Sequence, residues 1–358
     1  MTMNSLFRVG TGWYIAILSV LLCVITGTDA AGGSGRGGAA KAGVPRVGAQ
    51  KFSASEAHAS GTAAGGLSLA DPPEVSRRVL NIGGFIVNVY GLEYLAPIVD
   101  DTTPNITLLI HMHGRTRSAM MEEPLVKTYF AEVRSHITAD PAGSKNDFLI
   151  ASFDGPNHGN RTTLPMAQNG FSKGNLQFLM DQYAMIGTQG ILTSVGDAYD
   201  ASFLADFLPF YLFPMGERTI TDFVVSGKSM GGHATYHVGT PLIGTPDYVK
   251  LVESRTSESN ITMASPFVPL SFMEYVNKTN PANMAYTSVD ASINPFYGKK
   301  LFAGSGGTDP LVLFNYSSEF LSNVVLGPDT NETRESLQIY LQPNTTHQVT
   351  NESTSPTH

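Results

Sequence analysis

The sequence predicts an α/β fold in which a mostly parallel, twisted sheet carries helices on both faces. Three observations indicate this class. Continuous apolar runs of strand length recur along the chain, stretches with apolar residues at helical spacing lie between them, and there is no internal repeat or second-domain signature. Uninterrupted apolar strands that alternate with helices are typical of parallel sheets buried on both faces.

The folded domain is expected over residues 73–350. Two short β-branched runs within 78–96 predict a pair of antiparallel strands at a sheet edge. Apolar residues spaced about four apart predict helices at 118–137 and 197–212. Continuous apolar runs predict further strands at 106–112, 148–153, 222–225, 300–303 and 337–341.

The first thirty residues have the pattern of a secretory signal peptide. Arg8 precedes an almost unbroken apolar run from Trp13 to Ile25, and small residues follow at 28–30. The run is shorter than the about 20 residues that span a bilayer. We therefore expect cleavage and secretion to the extracellular space, without stable membrane insertion afterwards. An uncleaved membrane anchor is the alternative.

The composition excludes several classes of function. The chain has 22 Lys and Arg against 30 Asp and Glu, and this acidic balance argues against a nucleic-acid partner, which requires clustered basic residues. The single cysteine, Cys23, excludes a disulfide framework and a Cys-rich metal site. Residues 31–72 are rich in Gly, Ala and Ser without apolar periodicity, which predicts a disordered spacer. Residues 351–358 are expected to form a polar tail.

Eight Asn-x-Ser/Thr triplets are potential acceptors for N-linked glycans. This number behind a signal peptide favours secretory traffic, and attached carbohydrate requires surface positions. The acceptors are Asn105, Asn160, Asn260, Asn277, Asn315, Asn331, Asn344 and Asn351.

The pattern Gly-x-Ser-x-Gly occurs twice, around Ser172 and around Ser229. In a nucleophile elbow this pattern places a serine at the apex of a sharp turn between a strand and a helix. FVVSG precedes Ser229 and GGHATYH follows it, with Gly227 and Gly231 on either side, as strand, turn and helix require. Ser172 follows TLPMAQN, which predicts no strand. We therefore predict Ser229 as a nucleophile and Ser172 as a loop residue.

A serine hydroxyl needs a base to take its proton, and the base needs a carboxylate to orient it. His347 follows the predicted strand LQIYL, in a loop that can deliver its ring to the serine. His233 and His237 lie on the helix after the nucleophile, where packing or solvent exposure explains them. Asp309 ends a Gly-rich turn after the strand KLFA and is the preferred acid, with Asp247 as the alternative.

The order Ser229, Asp309, His347, with each residue at a strand end, resembles the α/β-hydrolase superfamily. The resemblance covers about residues 106–350. The most similar groups are uncharacterised secreted hydrolases of fungal type, esterases and prolyl-oligopeptidase-like peptidases. The resemblance implies acyl transfer through Ser229 and requires no metal or organic cofactor.

The resemblance also implies roles for residues outside the triad. His113-Gly114-Arg115, after the strand ITLLIHM, is similar to the oxyanion loop of the family. The backbone N–H groups of Met230 and Arg115 would then receive the oxyanion, and the His113 ring would brace the loop. The segment 154–159 is similar to an Asp-x-x-x-His-Gly turn that many members carry after the next strand.

The sequence departs from the family pattern at two places. The helix after Ser229 has room for about two turns before the strand-like segment 241–248, and no helix is predicted after His347. Either the domain is reduced at both places or residues are missing from the sequence. A small cap is expected at 254–296, with a helix candidate at 270–276.

The leading hypothesis is a secreted serine hydrolase that cleaves carboxylic esters of a small acyl substrate. A serine exopeptidase is the second reading, because Glu122-Glu123 could anchor a substrate N-terminus, although the helix dipole explains acidic residues at a helix start equally well. A catalytically inactive hydrolase-like secreted binding or surface protein is the third. The sequence determines neither the ester specificity nor the oligomeric state.

Overall fold

A computed structural model describes residues 74–99, 103–139, 146–187 and 196–349. The predicted signal peptide, spacer and polar tail, together with Asn351, lie outside the described residues. Eight strands form one sheet in the order β1-β2-β4-β3-β5-β6-β7-β8. They are β1 (Arg77–Ile82), β2 (Phe85–Tyr90), β3 (Ile106–Met112), β4 (Asp147–Phe153), β5 (Ile220–Lys228), β6 (Thr240–Leu242), β7 (Leu301–Gly306) and β8 (Leu337–Gln342).

The sheet is antiparallel at one edge and parallel elsewhere. β1 pairs with β2, and β2 with β4, in antiparallel register, while all pairs from β4 through β3 and β5 to β8 are parallel. The β1–β2 hairpin turns at Gly83 and Gly84, whose φ angles of 61° and 92° favour glycine. The predicted fold class, a mostly parallel sheet with an antiparallel edge pair, is confirmed.

Helices occupy the connections between the strands. Short 3-10 turns precede α1 and α2 and occur in the loops. The helices are α1 (Glu123–Ala139), α2 (Phe178–Ile186), α3 (Asp197–Leu212), α4 (Met230–Val238), α5 (Tyr248–Glu258), α6 (Leu270–Thr279), α7 (Asn315–Asn323) and α8 (Asn331–Glu335).

The period-2 alternation of each central strand distributes its side chains between two cores. On β3, Leu108 and Ile110 belong to the larger core, which also holds residues of α2 to α6. Leu109 points to the opposite core, where it packs with Val126 and Tyr129 of α1. Both cores bury β3 fully, which explains why its sequence is apolar throughout.

The segment after Ser229 is short because glycines let the backbones approach closely. α4 has only nine residues and β6 only three. A Cβ at Gly232 would lie 2.4 Å from the Leu242 carbonyl oxygen, and a Cβ at Gly239 would lie 2.3 Å from the Val225 oxygen. The helix of about two turns that the sequence predicts is present as α4, and the next strand is present as β6.

The expected cap segment packs against the domain rather than standing apart from it. It contains the end of α5, the whole of α6 and irregular chain up to Phe296. Phe272, Met273 and Tyr275 of α6 contact the larger core. The helix predicted at 270–276 thus forms and extends to Thr279.

Within the described ranges, no helix has the length and apolar character needed to cross a membrane.

His237 is buried on α4 and makes the stability of the fold depend on pH. It is 7% exposed, and its Nδ1 has no hydrogen-bond partner within the described part of the chain. Burial, with smaller contributions from the charges of Lys299 and His233, lowers the pKa of His237 from 6.5 to about 4. Between pH 6.5 and 4 the unfolded chain therefore binds a proton at this site that the folded chain excludes. Stability contributed by the neutral ring falls as the pH falls through this window.

We predict that His237→Leu makes the free energy of unfolding less dependent on pH. Between pH 6.5 and 4.5 its slope should decrease by about one proton, or about 1.4 kcal/mol per pH unit, relative to the wild type. Urea denaturation at intervals of half a pH unit measures both slopes. An unchanged slope in a folded variant would contradict the assignment.

Candidate active site

Ser229 lies at the sharp turn between β5 and α4. Its φ of 55° and ψ of −109° are unusual for a residue with a side chain and cost about 1–3 kcal/mol. Two backbone hydrogen bonds hold this conformation. The Ser229 N–H donates to the Leu242 carbonyl at 2.9 Å, and the His233 N–H donates to the Ser229 carbonyl at 2.8 Å. The strain projects the serine side chain out of the turn.

The two glycines of the Ser229 motif are required by backbone contacts. A Cβ at Gly227 would lie 2.3 Å from the carbonyl oxygen of Gly231. A Cβ at Gly231 would lie 2.6 Å from the Met112 oxygen and 2.8 Å from the His113 oxygen, at the end of β3. No side chain fits at either place without moving backbone.

Asp309 and His347 come from loops that follow neighbouring parallel strands, β7 and β8. The loop after β8 folds back onto the end of β7, where the Thr308 N–H donates to the Thr345 carbonyl at 3.0 Å. Gly306 permits this contact, since a Cβ there would lie 2.2 Å from the Thr346 oxygen. The fold-back brings the His347 ring beside Asp309.

The predicted nucleophile, base and acid are joined by two short hydrogen bonds. Ser229 Oγ lies 2.7 Å from His347 Nε2, and His347 Nδ1 lies 2.7 Å from Asp309 Oδ2. The Asp309 side chain is fully buried, and its other oxygen accepts the N–H groups of Leu311 at 2.8 Å and Val312 at 3.1 Å. With its proton on Nδ1, the imidazole can accept the serine proton at Nε2.

Met230 follows Ser229 directly, and Arg115 follows Gly114. Within the described ranges, neither the Met230 nor the Arg115 amide donates to a protein acceptor. Gly114 places its segment against the elbow, since a Cβ on it would lie 3.4 Å from Ser229 Cβ. Free amides at this position can form an oxyanion hole.

The His113 ring connects the Gly114 segment to the loop after β4. Its Nδ1 lies 2.7 Å from the Gly114 carbonyl oxygen, and its Nε2 accepts the Gly155 N–H at 2.9 Å. A neutral ring with its proton on Nδ1 satisfies both contacts. Burial lowers the pKa of His113, which favours that neutral form. These contacts agree with the bracing position predicted for His113.

The segment 154–159 forms a tight turn held by its aspartate. Asp154 accepts the N–H of Ala119 at one oxygen and the N–H of Asn160 at the other, each at 2.8 Å. The turn also places the His158 ring 5.1 Å from the His113 ring. The turn therefore packs against His113.

The structure separates the alternatives that the sequence left open. Asp247 caps the N-terminus of α5, where it accepts the Lys250 N–H at 3.1 Å and pairs with the Lys250 ammonium at 3.2 Å. Asp309, not Asp247, contacts His347. Ser172 lies exposed in a 3-10 turn, outside any strand-turn-helix junction. His233 and His237 are both buried, so packing rather than solvent exposure explains them.

Sequence reasoning missed the residues that close the elbow against β6. Gly244 lies so close to Gly232 that a Cβ on it would come within 2.3 Å of the Gly232 carbonyl carbon. The doubled glycine after Met230 is the sequence signal that could have indicated this contact. Arg255, which donates to the Leu311 carbonyl at 2.6 Å close to the acid, has no comparable signal.

The sheet, the serine at the strand-to-helix turn and the order Ser229, Asp309, His347 define an α/β-hydrolase fold, as the sequence predicted. Among solved structures, the chain is similar to the protein TT1662 from Thermus thermophilus, at 16% identity over 78% of this chain and 93% of that chain, with a TM-score of 0.47. No protein-family model matches the sequence, and no curated protein matches it.

Two further similar structures carry names that describe an activity. A puromycin-hydrolyzing peptidase from Mycobacterium tuberculosis is 14% identical over 78% of this chain, with a TM-score of 0.45, and this chain covers 38% of it. A CE1 ferulic acid esterase from the anaerobic fungus Anaeromyces mucronatus is 11% identical over 79% of this chain and 87% of that chain, with a TM-score of 0.40.

The two Gly-x-Ser-x-Gly motifs provide a matched test of the elbow. Gly227→Ala should destabilise the protein and impair the Ser229 site, because the new Cβ meets backbone at 2.3 Å. Gly170→Ala, at the equivalent position of the Ser172 motif, should leave stability within about 0.5 kcal/mol, because nothing lies within 4 Å of its Cβ position. Thermal unfolding and labelling by a fluorophosphonate probe compare the two. Equal behaviour of the variants would refute the steric argument.

Proposed function

We propose that the protein is a serine hydrolase that cleaves carboxylic esters through an acyl-enzyme intermediate. The observation that carries the proposal is the continuous hydrogen-bonded chain from Ser229 through His347 to Asp309. A strained serine at positive φ, two free amides beside it and a buried orienting carboxylate are what acyl transfer requires. Neither a metal nor an organic cofactor enters this mechanism.

In the proposed reaction, Ser229 Oγ attacks the carbonyl carbon of the ester while His347 Nε2 takes the hydroxyl proton. The Met230 and Arg115 N–H groups stabilise the negative oxygen of the tetrahedral intermediate, and losing one such donor typically costs about 10²–10³ in rate. His347 then gives the proton to the leaving alcohol. A water molecule, activated by the same ring, releases the acid and restores the serine. Asp309 orients the imidazole and stabilises its charged form.

The surroundings of Glu122 and Glu123 favour the esterase over the exopeptidase alternative. Glu122 is 2% exposed, and its Oε1 lies 3.0 Å from Arg117 Nε and 3.9 Å from Lys228 Nζ. Glu123 pairs with Lys127 at 3.0 Å. Both carboxylates are engaged by cations of the domain itself, so they do not form a free pair for a substrate N-terminus.

We also propose that the protein is secreted, with residues 1–30 removed as a signal peptide, and glycosylated. Exposure of the predicted acceptors supports glycosylation, since a buried asparagine cannot carry a glycan. The acceptor residues exposed in the structure are Asn105, Asn160, Asn260, Asn277, Asn315, Asn331 and Asn344.

Substitution of each motif serine in turn tests which of the two is the nucleophile. Ser229→Ala should abolish hydrolysis of a short-chain p-nitrophenyl ester and labelling by a fluorophosphonate probe, because the nucleophile is gone. Ser172→Ala should retain both, because Ser172 lies exposed in a 3-10 turn and no hydrogen bond within the described ranges joins it to a histidine. Unchanged turnover in Ser229→Ala would refute the proposed nucleophile. A wild-type protein that the probe does not label would support the inactive binding-protein alternative instead.

The choice between the two candidate acids gives a second kinetic prediction. Asp309→Asn should lower kcat by about 10⁴-fold, because an amide no longer holds the imidazole in the required tautomer. Asp247→Asn should change kcat less than about twofold, with at most a small loss of stability from the α5 cap. Steady-state kinetics on a p-nitrophenyl ester measure both. A larger effect at Asp247 would reverse the assignment.

Secretion and glycosylation are tested together by expressing the full chain in a eukaryotic secretory host. The protein should appear in the medium with its N-terminus near residue 31, and an N-glycan-removing amidase should lower its mass. A chain that lacks residues 1–30 serves as the control and should remain in the cell without glycans. Recovery of the full chain in the membrane fraction, with residues 1–30 attached, would support the uncleaved anchor.

A further inference from the structure

The side chain of Arg115 extends from the His113-Gly114-Arg115 segment onto the ring of Phe178. Its guanidinium carbon lies 4.7 Å from the ring centroid of Phe178, and Nη1 donates to the Gln168 carbonyl at 3.0 Å. The Phe178 ring meets Phe171 edge-on at 5.3 Å, and Phe171 meets Phe267 at 6.0 Å. The guanidinium therefore lies between a largely buried aromatic cluster and a backbone carbonyl group.

Arg115 is half-buried and lacks a counter-ion. Within the described part of the chain, no carboxylate lies within ion-pair distance of it. The exposed Arg78, and Arg134, which lies over the Tyr94 ring, have no ion pair there either. Five described arginines do pair with a carboxylate; they are Arg77, Arg117, Arg161, Arg218 and Arg255. Removing a charge from water without a partner is unfavourable, so a half-buried, unpaired guanidinium is better stabilised when an anion binds to it.

The surroundings of Arg115 make its charged form less stable in the absence of an anion. Burial and, next, the positive charge of Arg255 lower the pKa of the Arg115 guanidinium. Arg255 itself is satisfied, because its Nη1 lies 3.0 Å from Glu258 Oε2 and its Nη2 donates to the Leu311 carbonyl. The unmet positive charge near the site thus belongs to Arg115.

The position of Arg115 on the chain places this charge close to the reacting atoms. Arg115 follows Gly114, whose Cβ position lies 3.4 Å from Ser229 Cβ, and its backbone N–H is one of the two proposed oxyanion donors. One arginine side chain therefore separates the oxyanion position from the guanidinium. A substrate held by both would carry its anionic group a few bonds from the scissile carbonyl.

Building on the proposed function, we propose that Arg115 is a specificity residue that binds a carboxylate on the substrate. The preferred substrates are then esters with a second, ionised carboxyl group. A planar guanidinium suits this group, because it can donate two parallel hydrogen bonds to a carboxylate. The carboxylate can lie in the acyl or in the alcohol part of the ester, and paired substrates distinguish the two.

The experiment uses two pairs of esters that differ only in the charge of one group. The p-nitrophenyl monoester of adipic acid, compared with its terminal carboxamide, tests a carboxylate in the acyl part. 4-Acetoxybenzoate, compared with 4-acetoxybenzamide, tests a carboxylate in the leaving alcohol. For one pair, kcat/KM of the secreted wild-type protein should be at least tenfold higher for the anionic ester. In Arg115→Met, which keeps an apolar side chain on Phe178, this ratio should fall to within about twofold of one.

Arg255→Met is the matched control, since it removes a nearby cation that already has a carboxylate partner. It should retain at least half of the wild-type ratio. Arg115→Gln, which keeps a donor for the Gln168 carbonyl, should lose the ratio as Arg115→Met does. Fluorophosphonate labelling of Ser229 verifies that each variant has a folded site.

The outcomes separate this inference from the proposed function. A wild-type protein that hydrolyses the charged and neutral members of both pairs equally well would overturn the role of Arg115 and leave the esterase proposal intact. Equal loss of the ratio in Arg115→Met and Arg255→Met would overturn it too, because it would indicate a general field rather than a contact. A wild-type protein that neither hydrolyses any ester nor is labelled would refute both proposals.

Discussion

The close contact between the end of β5 and the start of α4 is the constraint on which the site depends. Gly227 and Gly231 touch through their backbones, and Gly231 also lies against the carbonyl groups that end β3. The Gly231 N–H donates to the His113 carbonyl at 3.2 Å, so the turn at Ser229 is linked directly to the segment that follows β3. The strained φ of Ser229 is maintained by this packing rather than by the serine itself.

The parallel order of the sheet then determines which distant residues can meet. Ser229, Asp309 and His347 follow β5, β7 and β8, and the carboxyl ends of these strands lie along one edge of the sheet. The short β6 contributes little surface between them, yet its Leu242 carbonyl accepts the Ser229 N–H. The loop after β8 folds back onto Gly306, and this contact brings His347 within hydrogen-bond distance of Asp309. Sheet order provides proximity, and loop packing provides the hydrogen-bond geometry.

Local pattern was sufficient to predict most strands and the strand-to-helix turn at Ser229. The apolar run 106–112 is β3 to the residue, because a strand buried on both faces must be apolar throughout. Pattern favoured Asp309 but left Asp247 open as the alternative, since both follow strand-like segments. It depends on three-dimensional order, which directs the chain after β6 into α5 with Asp247 as its cap. The unpaired charge of Arg115 was equally invisible, because ion pairing is a property of packed neighbours.

β8 lies at the edge of the sheet and has exposed apolar side chains. Within the described ranges, β8 pairs with β7 on one side only, and Ile339 and Leu341 are 43% and 40% exposed. Such a strand can recruit a strand from another molecule. Asn331 and Asn344, two of the exposed glycan acceptors, lie just before and just after it. Glycans attached at these two positions would lie near both ends of the β8 edge. Their bulk would sterically hinder the addition of a strand from another molecule.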